Sequence, residues 1–344
     1  MGTLEALAKK PGGEQVLDAM ILKLPPNTPA KVLSAALKAR YGFEIKRFKT
    51  RHADETDLKG LEKHDPEQPD PELVQVYKLL AQIPSKQIKG KIEELIDFDV
   101  DDDGGVYYPN KKIYVYSGRV GTLADGTKSL GKDVMPEGEE VDERCQPDPA
   151  AAPVPVSNFT LLHEAAHAED RGTGFMDGKK GAGNSAFGAW VDESPASIAK
   201  RAAPHFGYDE DYIRATLADK DGKPPERTPK RPKGRADVKD DVEWEARRQK
   251  ALAWCQAIRA TAGPWWKGAV CKQIAIGGRV YQESYNDGRW SSYDYAARSQ
   301  GISGYQFRAA PEWFAELYAA FFSGKLKPLH PAMGWLKSFK PPQP

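Results

Sequence analysis

Residues 158–170 read Asn158-Phe-Thr-Leu-Leu-His163-Glu164-Ala-Ala-His167-Ala-Glu-Asp170. The pattern inside it is HExxH, with Leu161, Leu162, Ala165, Ala166 and Ala168 around the polar positions. Ser157 or Asn158 is suited to cap a helix, and Gly172 to end it, so the spacing predicts a helix from Phe159 to about Asp170. On a helix, positions i and i+4 share a face. His163 and His167 can therefore approach one Zn²⁺, while Glu164 projects beside them toward a water. A helix with small apolar surfaces would be buried, and burying two imidazoles and a carboxylate is costly unless a metal or partners satisfy them.

A catalytic zinc site needs a third protein ligand and an open fourth position. A metzincin would carry Gly at 170 and His at 173, where this chain has Asp170 and Thr173. The thermolysin arrangement would set a Glu near 186 or 187, which are Ala and Phe; Glu193, beside Asp192, lies later and is a reserve candidate. The better candidate lies far downstream, in Tyr305-Gln-Phe-Arg-Ala-Ala-Pro311-Glu312-Trp-Phe-Ala-Glu316-Leu-Tyr-Ala-Ala-Phe-Phe322. Pro311 fits the first turn of a helix. Glu312 and Glu316 then fall one above the other, and Trp313, Leu317, Ala320 and Phe321 pack away from them. Carboxylates on so apolar a helix need a compensating charge, and a His-bound Zn²⁺ would supply it. The bland reading of Glu312 is a carboxylate favoured by the helix N-terminus without any metal.

HExxH, with a Tyr standing seven residues before the Glu that opens E-W-F-A-E, resembles the anthrax lethal factor-type zinc metallopeptidases, which include secreted Pro-Pro endopeptidases and related bacterial toxin domains. Val76-Tyr77-Lys-Leu-Leu80-Ala-Gln-Ile-Pro84, Gly104-Gly-Val-Tyr-Tyr108 and Ile113-Tyr-Val-Tyr116 are also similar to the start of that catalytic domain. The resemblance covers residues 72–170 and 300–335. It implies that His163, His167 and Glu312 bind zinc, that Glu164 is the general base, that Tyr305 stabilises the oxyanion, and that Glu316 supports the site behind the ligands. Asp170 is an alternative partner for an imidazole. In the family the second His and the Glu ligand are a few tens of residues apart. Here the interval is several times longer, so an insertion, about 171–300, folds out of the way or caps the cleft.

Composition sets the remaining bounds. The chain has 344 residues, with 50 Lys+Arg against 49 Asp+Glu, so no basic excess points to nucleic acid or an anionic membrane. Apolar residues make up 40%, enough for a packed core. No apolar run approaches a membrane span. The N-terminus, Met1-Gly-Thr-Leu-Glu-Ala-Leu-Ala-Lys-Lys10, has its lysines after the apolar patch, which is not the order of a Sec signal. Cys145, Cys255 and Cys271 form no CxxC pair and read as unpaired core thiols, a Cys255–Cys271 bridge being the other reading.

Residues 1–70 read as a small helical module and linker, and 71–344 as the metallopeptidase domain. Within the second part, helices are expected from Pro71 to Pro84 and from about Ile88 to Ile96, then a hairpin of Val106–Tyr108 with Ile113–Tyr116. Along its edge strand an extended substrate would pair. Asp99-Val-Asp101-Asp102-Asp103-Gly104 opens like a calcium loop, but Asn110 stands where a bidentate Glu is wanted, so an acidic turn is favoured. The basic, Pro-rich run Lys223–Arg235 reads as a solvated loop, and Trp265-Trp266 as packing. There is no P-loop and no GxSxG elbow. His52, His64, His205 and His330 are isolated.

The expected fold is therefore α+β and zincin-like: an HExxH helix, a small antiparallel sheet and a mostly helical C-terminal part with a long insertion. The expected function is that of a Zn²⁺-dependent endopeptidase acting on proteins or peptides, a monomer without nucleic-acid partners or stable membrane insertion. The resemblance implies a secreted bacterial effector or toxin, a virulence factor delivered by a specialised system without a Sec signal. The N-terminal module would dock the secretion machinery, bind an immunity protein or recognise the target. The alternatives are a peptidoglycan endopeptidase using the same site and a zinc-free binding module.

Overall fold

A computed structural model describes residues 2–51, 57–98, 105–116, 141–145, 156–232, 237–260, 263, 268–284 and 287–339. The elements follow the order α1 (Thr3–Ala8), α2 (Gly13–Ile21), α3 (Ala30–Tyr41), β1 (Glu44–Phe48), α4 (Pro71–Leu80), β2 (Glu94–Phe98), β3 (Gly105–Tyr107), β4 (Lys112–Tyr116), α5 (Val156–Thr173), β5 (Val191–Glu193), α6 (Pro195–Phe206), α7 (Glu210–Ala218), α8 (Asp241–Ala257), α9 (Gly268–Ile274), β6 (Arg279–Glu283), β7 (Trp290–Asp294), α10 (Ala310–Phe322) and α11 (Met333–Leu336). The chain is α+β. It divides into two compact units, one of Met1–Val134, Arg144–Phe175 and Phe314–Pro344, the other of Met135–Glu143 and Met176–Trp313.

The first unit is built on a four-stranded sheet of order β1-β2-β4-β3. β1 and β4 both pair parallel to β2, and β3 pairs antiparallel to β4. The sheet is thus mixed, which corrects the expectation of a small antiparallel one. The helix expected from Ile88 to Ile96 is also corrected: a short 3₁₀ turn at Ser85–Gln87 is followed by strand β2. The physical reason is burial. Leu95, Ile96 and Phe98 form a short apolar run with Asp97 buried among them, and a strand flanked on both sides by parallel neighbours shows no alternation to separate it from a helix.

The hairpin is where the sequence puts it. Tyr108 N–H bonds the Lys112 carbonyl and Lys111 takes φ +62° to close the turn. Helix α4 starts as expected at Pro71, and the Asp70 carboxylate accepts a hydrogen bond from the Leu73 amide. The segment before it is part of the same unit, because β1 runs alongside β2 with Phe48 opposite Phe98. Arg47, on β1, reaches Asp97 on β2 (Nε to Oδ2, 2.8 Å) and also pairs with Asp70 and Glu72 at the start of α4. These carboxylates hold its guanidinium charged against the desolvation cost of burial.

The second unit carries a three-stranded antiparallel sheet of order β5-β7-β6, with α6 to α9. Ser194 and Ser197 cap α6 reciprocally around Pro195. Trp190 and Tyr293 pack at 4.9 Å between ring centres, and Arg259 closes the turn after α7 by donating to the Thr216 and Asp219 carbonyls. Most of the expected insertion therefore folds as a unit with its own sheet and core.

None of the three cysteines is in a disulfide, and all are buried. Burial pushes the Cys255 thiol up to about 12, so it is a packing group rather than a nucleophile. No helix among the described residues is long and apolar enough to cross a membrane. The acidic stretch Asp99–Gly104 and the pair Trp265-Trp266 lie outside the described residues, as does part of the basic run.

Candidate metal centre

Helix α5 carries the HExxH positions. It begins at Val156, earlier than the sequence suggests, so Ser157 and Asn158 lie inside it rather than capping it. It also runs through Gly172 to Thr173, and Gly174 at φ +63° receives the turn, its amide bonding the Asp170 carbonyl. Gly172 lies under the Lys91 side chain: a Cβ there would stand 2.7 Å from Lys91 Cδ, so a larger residue would push that chain aside. Leu161, Leu162, Ala165, Ala166 and Ala168 are all buried, which sets one side of α5 against the core.

The polar positions of α5 are buried with it. His163 and Glu164 are 7% and 6% exposed, whereas His167 is half-buried. The two imidazoles meet edge to face, 4.7 Å between ring centres at 80°, with Nε2 to Nε2 at 3.0 Å. The Nδ1 of His163 lies 2.9 Å from Glu316 Oε1. A carboxylate at that position accepts a hydrogen bond from Nδ1–H, which fixes the tautomer and leaves Nε2 to present its lone pair.

Helix α10 supplies the carboxylates. Trp313, Phe314, Ala315, Leu317, Tyr318, Ala319 and Ala320 are each at most 1% exposed, so the helix is buried all round rather than on one side. Its charged positions are Glu312 and Glu316 alone. From Phe314 onward α10 is fastened within the first unit: Tyr318 Oη donates to Gln87 Oε1 at 2.6 Å, and Gln87 donates to the Phe339 carbonyl. Phe314 lies 5.0 Å from Phe175 and 5.5 Å from Phe339, centre to centre. The same helix, just before Phe314, carries Glu312, which is 9% exposed.

One ligand atom each from His163, His167 and Glu312 lie within 4.8 Å of one another. Among the described residues this is the group of His, Cys, Asp and Glu side chains close enough to hold an ion together. Two imidazole nitrogens and one carboxylate oxygen form a donor set that suits zinc with one position left open. The two Nε2 atoms stand at the distance of a hydrogen bond between the rings, and the same approach fits an ion shared between them.

The other expected positions are placed as follows. Glu193, on β5, accepts from Arg201 Nη1 at 2.5 Å, Ser197 Oγ at 2.5 Å and Ser292 Oγ at 2.7 Å, so its charge is answered by the protein. Tyr305 opens a 3₁₀ turn, Tyr305–Phe307; its hydroxyl accepts from Arg308 Nη1, and that guanidinium lies 5.2 Å from its ring centre. Asp170 is buried at the last turn of α5, while the orienting contact to His163 comes from Glu316.

Two contacts had no signal in the sequence. Lys91 and Glu169 of α5 form a part-buried ion pair, and burial raises the Glu169 carboxyl above its ordinary value while Lys91 opposes the shift. Gln87, the anchor of α10, is an ordinary-looking residue between two helical predictions. Comparison of the chain with protein-family models, with curated proteins and with solved structures gives no match.

Proposed function

We propose that the protein is a zinc-dependent endopeptidase of zincin type that hydrolyses peptide bonds in protein or peptide substrates. The observation that carries this reading is the convergence of His163, His167 and Glu312 within 4.8 Å, with Glu164 on the same helix as both histidines. The motif resemblance to the anthrax lethal factor-type metallopeptidases supports it, since the same positions would be ligands and base there.

A zinc ion held by these three side chains would polarise the scissile carbonyl and acidify a water. Glu164, on the same helix as both histidines, would hold the proton of the attacking water and hand it to the leaving amine. The Glu164 side chain is buried, which shields it from bulk solvent. Glu316 holds the His163 imidazole in one tautomer and one orientation, so the lone pair at Nε2 is ready before any ion arrives. Tyr305, presented with its hydroxyl against Arg308, is the donor assigned to the developing oxyanion. The bacterial-effector role and delivery without a Sec signal belong to the same proposal and rest on the resemblance.

Elemental analysis tests the reading first. One zinc per chain in the wild type, lost in His163→Ala, together with cleavage of a denatured protein substrate, is the expected result. A wild-type chain free of zinc after metal-replete preparation sinks it.

A further inference from the structure

Strand β3 is the edge of the first unit's sheet, and it packs directly on α5. The approach is close at Gly105, the first residue of the strand. A Cβ built there would stand 2.4 Å from Thr160 Cγ2, 3.2 Å from Glu164 Cγ and 3.2 Å from the Tyr114 carbonyl oxygen. Thr160 and Glu164 are one helical turn apart, so both face this strand. Gly105 is not among the glycines with positive φ, so its backbone conformation is open to any residue. What excludes a side chain at this position is space alone.

The three contacts differ in how they can yield. The Tyr114 carbonyl belongs to β4, and β3 is pinned to that strand by the pairs Gly105 with Val115, Val106 with Tyr114 and Tyr107 with Ile113. The Thr160 side chain is β-branched on a helix, which limits it to two χ1 wells. Pressure from a Cβ is therefore passed to α5, and the Glu164 side chain is one of the two groups that receive it.

We propose that Gly105 is a positioning residue for Glu164: the missing Cβ on the edge strand is what lets the Glu164 stem keep its place beside the histidines. The inference rests on the reading of Glu164 as the proton acceptor. It adds that the strand next to the base is held to a glycine by packing against Thr160 and against the base, and not by the geometry of the turn.

Three variants separate placement from folding: Gly105→Ala, Thr160→Ala, and the two combined. Thr160→Ala removes the 2.4 Å clash while leaving the 3.2 Å approach to Glu164. Gly105→Ala alone should lower the melting temperature and the activity together. The double variant should recover the wild-type melting temperature and keep wild-type zinc affinity in competition with a chromophoric chelator, because neither histidine is touched. Its kcat on a fluorogenic peptide library should nevertheless fall by about tenfold with KM nearly unchanged, since a 3.2 Å contact makes the Glu164 stem give by a few tenths of an ångström and reacting groups are sensitive to such displacements. Thr160→Ala by itself should stay within about threefold of wild type, as expected of a change outside the reacting groups.

A double variant with wild-type kcat overturns the proposal. Should the wild type bind no zinc and cleave nothing, the functional reading fails separately. Gly105 is then judged from the double variant's crystal structure, where a displaced Glu164 carboxylate upholds the placement and an undisplaced one overturns it.

Discussion

Two buried glutamates, Glu193 on β5 and Glu312 on α10, follow the HExxH helix in the chain, and each is a candidate third ligand by sequence. Their surroundings differ in kind. The Glu193 side chain, 1% exposed, is met by the Arg201 guanidinium and by the hydroxyls of Ser197 and Ser292. Glu312 stands on a helix whose other charged residue is Glu316, and it shares its corner with His163 and His167. A buried carboxylate must be compensated, and the compensating group tells what it is for. Around Glu193 the answer is internal to the protein and ties β5 to α6 and β7. Around Glu312 the neighbours are two imidazoles, groups that share a cation as readily as they share a proton.

The contrast makes its strongest prediction in Glu312→Gln. Zinc affinity should fall by more than about 100-fold, beyond the loss typical of a residue that only supports a ligand, and peptidase activity should vanish with it. Chelator competition beside activity assays checks this, and an unchanged affinity would transfer suspicion back to Glu193. Next in size is Glu164→Gln. Here kcat/KM should drop by about 10²- to 10⁴-fold while zinc stays bound, because a proton acceptor is lost and no ligand. Loss of zinc in that variant would mean Glu164 holds the ion. A smaller effect is expected of Glu316→Gln, which weakens the acceptor behind His163 Nδ1: about 10- to 100-fold in zinc affinity, with activity restored at saturating metal. If saturating zinc fails to restore activity, Glu316 does more than orient the ring.

The parts legible in the sequence are those whose signal is local. The HExxH spacing is a helical repeat of about one turn, the hairpin is two β-branched and aromatic runs around Pro109-Asn110, and α10 is marked by Pro311 ahead of an apolar stretch. Each can be read in a window no longer than the element. Strand β2 is the opposite case, because its neighbours β1 and β4 come from distant segments and its residues are buried on both faces, which erases the alternation a strand shows when one face is wet. The same holds for the supports of the site. Gln87 beneath Tyr318, Lys91 beside Glu169 and Gly105 against Glu164 acquire their roles only when remote segments meet, and nothing in their own neighbourhood marks them.

The comparison also predicts what Glu193 is worth. Glu193→Gln keeps the size of the side chain but removes the charge that Arg201 and the two serine hydroxyls address. Hydrogen bonds to a charged acceptor contribute more than neutral ones, yet the Arg201 side chain is 47% exposed, so solvent screens that pair and most of the loss falls on the serine contacts. The net cost should be about 2 kcal/mol. In a unit of this size that lowers the melting temperature by roughly 4–8 °C. Calorimetry of the full chain should show the shift, and zinc content should stay at the wild-type level. A Glu193→Gln protein of unchanged stability that had lost its zinc would reverse the roles of the two glutamates, because the network around β5 would then be incidental and the ion's third ligand would lie there.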